Sequence, residues 1–295
     1  MPKVLLTGAG GQIATAIALY FPEAHIPTIS LNRKQLDICS QEQLNKTFDS
    51  TDFDIVINCA AFTDTEIAEV NPSEAEYSNV HGIQLLANQC RKYNKFLIHI
   101  STNCIFSGTK DSPYTEDDAA MPLSVYGSTK YKSEEIIRKT LKDYIIFRTC
   151  WNFSEFEGHN FVLKILRRGI ADKHLRIVDD QFGCPTSAHS VARALAELCD
   201  RIKKSNDIRG TYHFCSSEAV SWYEYSKEIF KLAKELGIAE VSITRAKTGE
   251  VPTNLKRPAN GVLSTEKIAS LGLSLPNWRN DLAHVMQKIK TQKTF

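Results

Sequence analysis

Five residues of this chain have types and spacing that could do chemistry together. Thr102, Asn103 and Cys104 stand in "ISTNCIFSG", directly after the apolar run "FLIH", where a buried strand breaks into a loop. Strand ends in open α/β sheets are where ligands are handled. A hydroxyl there can hydrogen-bond a carbonyl oxygen and polarise it. Further on, "VYGSTKYKSEE" carries Tyr126 and Lys130. At the start of a helix, positions i and i+4 share a face, so phenol and ammonium can act together. A free phenol titrates near about 10, so work near neutral pH needs a depression of about 3 units, on the order of 4 kcal/mol. A neighbouring ammonium and an oxidised nicotinamide could supply that field. Thr102 would then polarise a carbonyl while Tyr126 delivers a proton and a cofactor delivers hydride to carbon. Taken alone, Y-x-x-x-K is a common chance pattern.

The first element that must position this chemistry is "VLLTGAGGQIATAI". Gly8 and Gly11 follow the first strand and open a helix at Gln12 and Ile13, which lets the backbone approach a pyrophosphate at a helix N-terminus. Ala14 fills the third, small place of the pattern, needed for helix–strand packing. An ordinary tight turn would read the same way. The second strand discriminates between cofactors, because an acid at its end would bind the 2′-hydroxyl of NAD. "TISLNRKQLDI" offers Ser30, Asn32, Arg33 and Lys34 instead. Basic and hydroxyl groups suit a 2′-phosphate, so NADPH is favoured, with NADH as the weaker alternative; the plain reading is a solvated basic turn. Asp37 and Ile38 come next, placed where they could meet the adenine.

Short apolar runs at 3–7, 25–30, 54–58, 96–100 and 144–149 alternate with helix-length segments at 12–21, 41–49, 73–94 and 126–142. Continuous apolar strands are buried on both faces, and strand–helix alternation means a parallel, doubly wound sheet. The second half is less regular. "RIVDDQFGCPTS" reads as a strand feeding a loop, 188–204 as a helix, "TYHFC" as a short strand, and "SWYEYSKEIFKLAKELG" as a helix closed by Gly237. A loop-rich stretch with Pro252 and Pro258 precedes a terminal helix from about 279. The expected fold is α/β: a Rossmann-type doubly wound parallel sheet with a smaller, mixed α/β substrate-binding lobe. Residues 1–149 form the dinucleotide-binding domain, with 187–215 returning to it; 150–186 and 216–295 form the lobe.

Bulk properties exclude several classes. The net charge of +2 gives no reason to expect nucleic acid or an acidic membrane. No apolar run approaches the roughly 20 residues that span a bilayer, and the N-terminus lacks a signal peptide's apolar region. None of the eight cysteines forms a C-x-x-C, so zinc-ribbon and thioredoxin-like readings fail. A reduced, cytoplasmic compartment fits best.

Beyond these readings, the chain resembles the extended short-chain dehydrogenase/reductases, and within them the dTDP-4-dehydrorhamnose reductase family. The resemblance runs nearly end to end, through "TGAGGQI", "LDI", "NCAAFT", "PYTEDD", "FRTCW", "NFV", "VDDQFGCPT", "YHF", "SWYEYS" and "RPANGVL". It implies reduction of the C4 ketone of a 6-deoxy-4-keto-hexose carried on a nucleoside diphosphate, with Thr102, Tyr126 and Lys130 as catalytic residues. It puts Ala60, Ala61 and Thr63 against the cofactor. It puts Asn103, Trp151, Asn160, Gln181 and Arg257 against the sugar nucleotide; each of these could equally be structural. Some such reductases hold Mg²⁺ through glutamates at a dimer contact. Here "ATAI", Ala14 to Ile17, replaces the first-helix Glu, so no such metal is expected and a homodimer by that route is in doubt.

The chain also departs from that family. Where the usual reductase reads S-T-D-Y-V-F, this one reads S-T-N-C-I-F. Bifunctional 3,5-epimerase/4-reductases of sugar nucleotides carry a Cys two residues past the catalytic hydroxyl and pair it with a Lys or His. Cys104 and Lys164, the latter in "NFVLKI", match those places. A thiol near an ammonium could serve as base and the ammonium as acid; the plain reading is drift at a half-buried site beside a solvated lysine. Alternation along an extended segment would turn Thr102 and Cys104 to the ligand and Asn103 to the flank. A third reading, from a fold relative, is a non-catalytic regulatory subunit resembling the β subunit of methionine adenosyltransferase.

Overall fold

A computed structural model describes residues 1–158, 160–204, 208–251, 253 and 255–294; Pro252 lies outside them. The first half runs β1 (Val4–Thr7), α1 (Gln12–Glu23), β2 (Thr28–Leu31), α2 (Gln41–Ser50), β3 (Ile55–Asn58), α3 (Thr65–Val70), α4 (Pro72–Glu76), α5 (Gly82–Lys92), β4 (Phe96–Thr102), α6 (Val125–Thr140) and β5 (Tyr144–Thr149). The second half runs β6 (Asn152–Phe153), α7 (Phe161–Asp172), β7 (His174–Val178), β8 (Phe182–Gly183), β9 (Thr186–Ser187), α8 (Ala188–Lys204), β10 (Gly210–His213), β11 (Val220–Ser221), α9 (Trp222–Glu235), β12 (Ser242–Ala246), α10 (Glu266–Ala269) and α11 (Trp278–Gln292).

Six strands form one parallel sheet in the order β10-β5-β4-β3-β1-β2. The apolar runs of β1, β3 and β5 are buried because helices cover both faces. On one face α1 and α8 pack on the sheet; on the other, α2 and α5 do. The order reverses between β1 and β3, so a crevice opens past their C-terminal ends. A separate apolar core joins α7, β7, α9 and α11. Two departures in packing stand out. Ile268 and Leu273 pack on the sheet face with α8, not in that second core. Strand β12 pairs in parallel with β7, a pairing the sequence reading did not contain.

Local differences have local causes. Strand β2 begins at Thr28, not at 25, because His25 is left-handed (φ 56) and Pro27 has no N–H to give a ladder. The segment expected as one helix over 73–94 is α4 and α5 joined by a π-helical turn, Tyr77–His81. Among the described residues no helix is long and apolar enough to cross a membrane.

Candidate active site

At the end of β1 the chain turns through Gly8, whose φ of 75 only glycine adopts freely. A Cβ there would stand 2.5 Å from the Ala60 nitrogen, so the strand ends of β1 and β3 touch only because Gly8 has no side chain. Gly11 then opens α1 with no side-chain cap and no acid in the first turn. That leaves N–H groups and the positive end of the helix dipole free for an anion. Gly8, Gly11, Gln12 and Ile13 line a cleft of about 610 Å³, with Ala60, Ala61 and Thr63 beside them. Arg33, Asp37 and Ile38 line its far end, joined by Leu36 and Phe62, which the sequence did not single out. Ser30 and Asn32 do not line it. Ser30 pairs along β1, and the Asn32 carboxamide accepts from the Lys34 and Gln35 N–H groups, closing the turn that presents Arg33. Lys34 does not line the cleft either, so the cation expected for a 2′-phosphate is Arg33 alone of the four; it stands 3.7 Å from Asp37 and is largely exposed.

The opposite wall of the cleft carries Thr102, Asn103, Cys104, Tyr126 and Lys130. Three devices hold them in place. Ser124 caps α6 by accepting from the Gly127 N–H (3.1 Å), and Glu69 of α3 accepts from the Val125 N–H (2.7 Å), which pins the helix start just before Tyr126. Glu134, two turns beyond Tyr126 on the same face, accepts from Ser101 Oγ (2.6 Å) and from Arg148 through Nε (3.0 Å) and a terminal nitrogen (2.7 Å). The buried Arg148–Glu134 pair clamps β5 to α6, and the Ser101 bond adds the end of β4; removing one partner of such a pair costs about 3–5 kcal/mol. Asn79, at the π-helical turn, bonds both the N–H (2.7 Å) and carbonyl (3.0 Å) of Phe62 and reaches Thr129 of α6 (3.0 Å).

The chain does not continue extended past Thr102. A tight helical turn, Asn103–Ile105, begins there, and Thr102 Oγ1 accepts from the Cys104 N–H (3.1 Å). The expected alternation therefore fails: Asn103 is not turned to a flank. It is buried, gives its amide to the Gly261 carbonyl (3.0 Å), and lines the cleft with its neighbours.

Electrostatics follow from burial. Desolvation pushes the Tyr126 phenol up, Cys104 adds to this, and a hydrogen bond to Thr102 opposes it. Desolvation lowers Lys130 to about 8, against the pull of Glu134 and Cys59. Its Nζ donates to the Ile100 carbonyl (2.7 Å) and lies 2.9 Å from His99 Nε2. Burial also pushes the Cys104 thiol up, offset by Thr102 and Arg257. A raised thiol is a poor base at neutral pH.

Trp151, left-handed at φ 46, stacks on Trp222 (centroids 3.4 Å apart, 11° between planes) and forms an aromatic wall of the cleft. Asn160 lines the cleft too, but its carboxamide caps α7 through the Leu163 N–H (3.0 Å). Gln181 and Arg257 line an adjoining cavity of about 460 Å³. There Arg257 stands 3.5 Å from Glu66, and Gln181 is held by Thr248 (3.0 Å). Lys164, exposed on α7, lines that outer cavity, whereas Cys104 does not. Cys104 and Lys164 thus stand in different spaces, the thiol in the cleft and the lysine in the outer cavity, with a smaller cavity lined by Cys104, Gln181, Trp222 and Arg257 adjoining both. All eight cysteines are free.

The residues present fit a nicotinamide dinucleotide, since the Gly8 approach, the uncapped start of α1 and Arg33 offer what a pyrophosphate and a 2′-phosphate need. Comparison with known proteins agrees. A family model, the RmlD substrate binding domain, matches residues 2–291. A dTDP-4-dehydrorhamnose reductase of Aggregatibacter actinomycetemcomitans is 34% identical over 290 residues, covering 97% of this chain and 98% of its own. A crystal structure of a dTDP-4-dehydrorhamnose reductase from Clostridium acetobutylicum superposes with a TM-score of 0.90 at 31% identity, covering 98% of this chain and 99% of that one. Another, from Bacillus anthracis in complex with NADP, gives 0.89 at 26% identity with the same coverage. This chain belongs to the RmlD substrate-binding domain family.

Proposed function

We propose that the protein is an NADPH-dependent reductase of the C4 ketone of a nucleoside-diphosphate 4-keto-6-deoxy-hexose, with dTDP-4-dehydrorhamnose as substrate. One observation carries the reading: Thr102, Tyr126 and Lys130 line the same cleft as the glycine turn that begins α1. NADPH, when bound, supplies the hydride. Thr102 accepts from the Cys104 N–H and gives its own proton only to a long contact with Asn103 Oδ1 (3.4 Å), which the C4 oxygen replaces. Tyr126 gives its proton to that oxygen as charge develops on it. Lys130, one helical turn on in the same cleft, is the ammonium that stabilises the phenolate so formed and can return a proton. The Trp151–Trp222 wall excludes water from one side of the sugar site. Arg257 and Gln181, in the adjoining cavity, take the nucleoside diphosphate. Residues 1–149 with 187–215 serve the dinucleotide, and 150–186 with 216–295 serve the sugar nucleotide.

The test is loss of NADPH absorbance on adding dTDP-4-dehydrorhamnose. Steady turnover supports the reading. Tight NADPH binding with no oxidation by any 4-keto-6-deoxy sugar nucleotide would instead leave a regulatory subunit.

A further inference from the structure

The catalytic lysine has a neighbour that nothing above accounts for. His99 is fully buried on β4, and its Nε2 lies 2.9 Å from Lys130 Nζ. The direction of every hydrogen bond around it can be worked out. The Asn58 amide nitrogen lies 3.2 Å from the Ala60 carbonyl oxygen, which can only accept. Asn58 Oδ1 accepts from Thr7 Oγ1 at 2.6 Å. The amide nitrogen is thus the atom that faces His99 Nδ1 at 3.0 Å, and Nδ1 must accept. In a neutral imidazole the proton then sits on Nε2. Ser133 Oγ, 3.2 Å from Nε2, can only share that proton with the lysine on the other side; its own proton goes to the Lys130 carbonyl.

That arrangement presents an N–H to the lysine. A neutral amine has a lone pair to accept it; an ammonium has none, and two donors would then meet at 2.9 Å. We infer that His99, held as its Nε2–H tautomer by Asn58, sets the balance between ammonium and amine at Lys130 and is a positioning residue for the reduction. The inference rests on the role proposed above for Lys130. Other groups facing the lysine do not replace His99. Glu134, one turn on, is shared with Arg148 and Arg138; Cys59 comes from the end of β3; Tyr126 is one turn back. Burial is the largest reason that Lys130 falls to about 8, and burial together with Lys130 keeps His99 neutral by lowering it well below its usual range. A lysine poised there can stabilise a phenolate as ammonium and reprotonate it without holding the proton too tightly.

Two variants change the contact through different atoms. His99→Gln offers Nζ a carbonyl oxygen, an acceptor for ammonium. Asn58→Asp offers Nδ1 a carboxylate, which draws the ring proton to Nδ1 and leaves Nε2 as the acceptor. The readout that needs no turnover is the ¹⁵N shift of the two His99 ring nitrogens, with NADPH affinity measured by fluorescence across pH. Wild type should show a neutral Nε2–H ring through the neutral range and an affinity that declines above about pH 8. Each variant should move that decline up by about one pH unit; either suffices if the other fails to fold. A ring protonated at Nδ1 or at both nitrogens in wild type, or superimposed pH profiles, overturns the inference. If the decline moves but no sugar nucleotide is reduced, His99 keeps this role and the reductase reading fails. If reduction is intact and the profiles superimpose, the His99 role alone fails.

Discussion

Gly127→Ala should lower kcat by about two orders of magnitude while leaving NADPH affinity within about two-fold. Gly127 follows Tyr126 on α6, where the helix passes over the turn that carries Thr102 and Cys104. A Cβ there would stand 2.2 Å from the Cys104 carbonyl oxygen and 3.1 Å from both the Cys104 carbonyl carbon and Pro122 Cβ. Carbon–oxygen contacts close in to about 3.3 Å, so helix and turn must part by roughly 1 Å. The nearest obstacle is backbone, not the end of a flexible side chain. Displacing reacting groups by about 1 Å costs on the order of 100-fold in rate. Overpacking costs about 1–3 kcal/mol, while Ala gains up to about 1 kcal/mol over Gly inside a helix. The net loss should leave the protein folded. Steady-state kinetics with dTDP-4-dehydrorhamnose, NADPH binding by fluorescence and a urea melt together read the effect. A variant with kcat within about three-fold of wild type would refute the claim that this contact sets the Thr102–Tyr126 geometry.

Three other outcomes follow. Tyr126→Phe should retain less than about a tenth of wild-type turnover with NADPH binding nearly unchanged, because the phenol acts mainly in the transition state; higher turnover in steady-state assay contradicts its role as proton donor. Arg33→Ala should raise KM for NADPH and leave NADH largely unaffected, since of Ser30, Asn32, Arg33 and Lys34 only Arg33 lines the cleft; an equal effect on both cofactors removes it from 2′-phosphate recognition. Burial would raise the Glu155 carboxyl, but His189 and Lys288 hold it down to about 2 from an ordinary 4.5. A depressed carboxyl stabilises the fold above its unfolded value and loses that as pH falls, here from about 4.5 to about 2, by at most about 3 kcal/mol. The stability difference between wild type and Glu155→Gln in urea melts should shrink over that range; a constant difference means the ion pairs contribute nothing.

What could be read from the sequence was what depends on short spacing. The buried strands, the glycine turn and the four-residue step from Tyr126 to Lys130 are local patterns, and they locate one cleft. Partners far apart in sequence left no such mark. Ser101 and Arg148 meet Glu134 only because β4, β5 and α6 pack together, although the i, i+4, i+8 series of Tyr126, Lys130 and Glu134 was available as a hint. Gly127 reads as an ordinary helix residue until Cys104 is seen above it. Asn32 looked like a cofactor ligand because asparagine at a strand end serves either a ligand or a turn, and only the hydrogen bonds from Lys34 and Gln35 tell which. The pairing of Cys104 with Lys164 rests on residue types in matching places, and spacing alone does not say which cavity each side chain enters. Helix α7 itself carries Val162, Leu163, Ile165 and Leu166 inward, a periodicity present in the sequence and overlooked beside the motif it contains.

The central claim is that the cleft brings hydride to the C4 carbon of a sugar nucleotide under control of Tyr126. NADPH deuterated at the transferring position, incubated with the protein and dTDP-4-dehydrorhamnose, tests it in one NMR measurement of the product. The account predicts deuterium at C4 of the hexose and nowhere else, with almost none incorporated by Tyr126→Phe. Deuterium retained in the cofactor despite tight binding, or found at another carbon of the sugar, would contradict it.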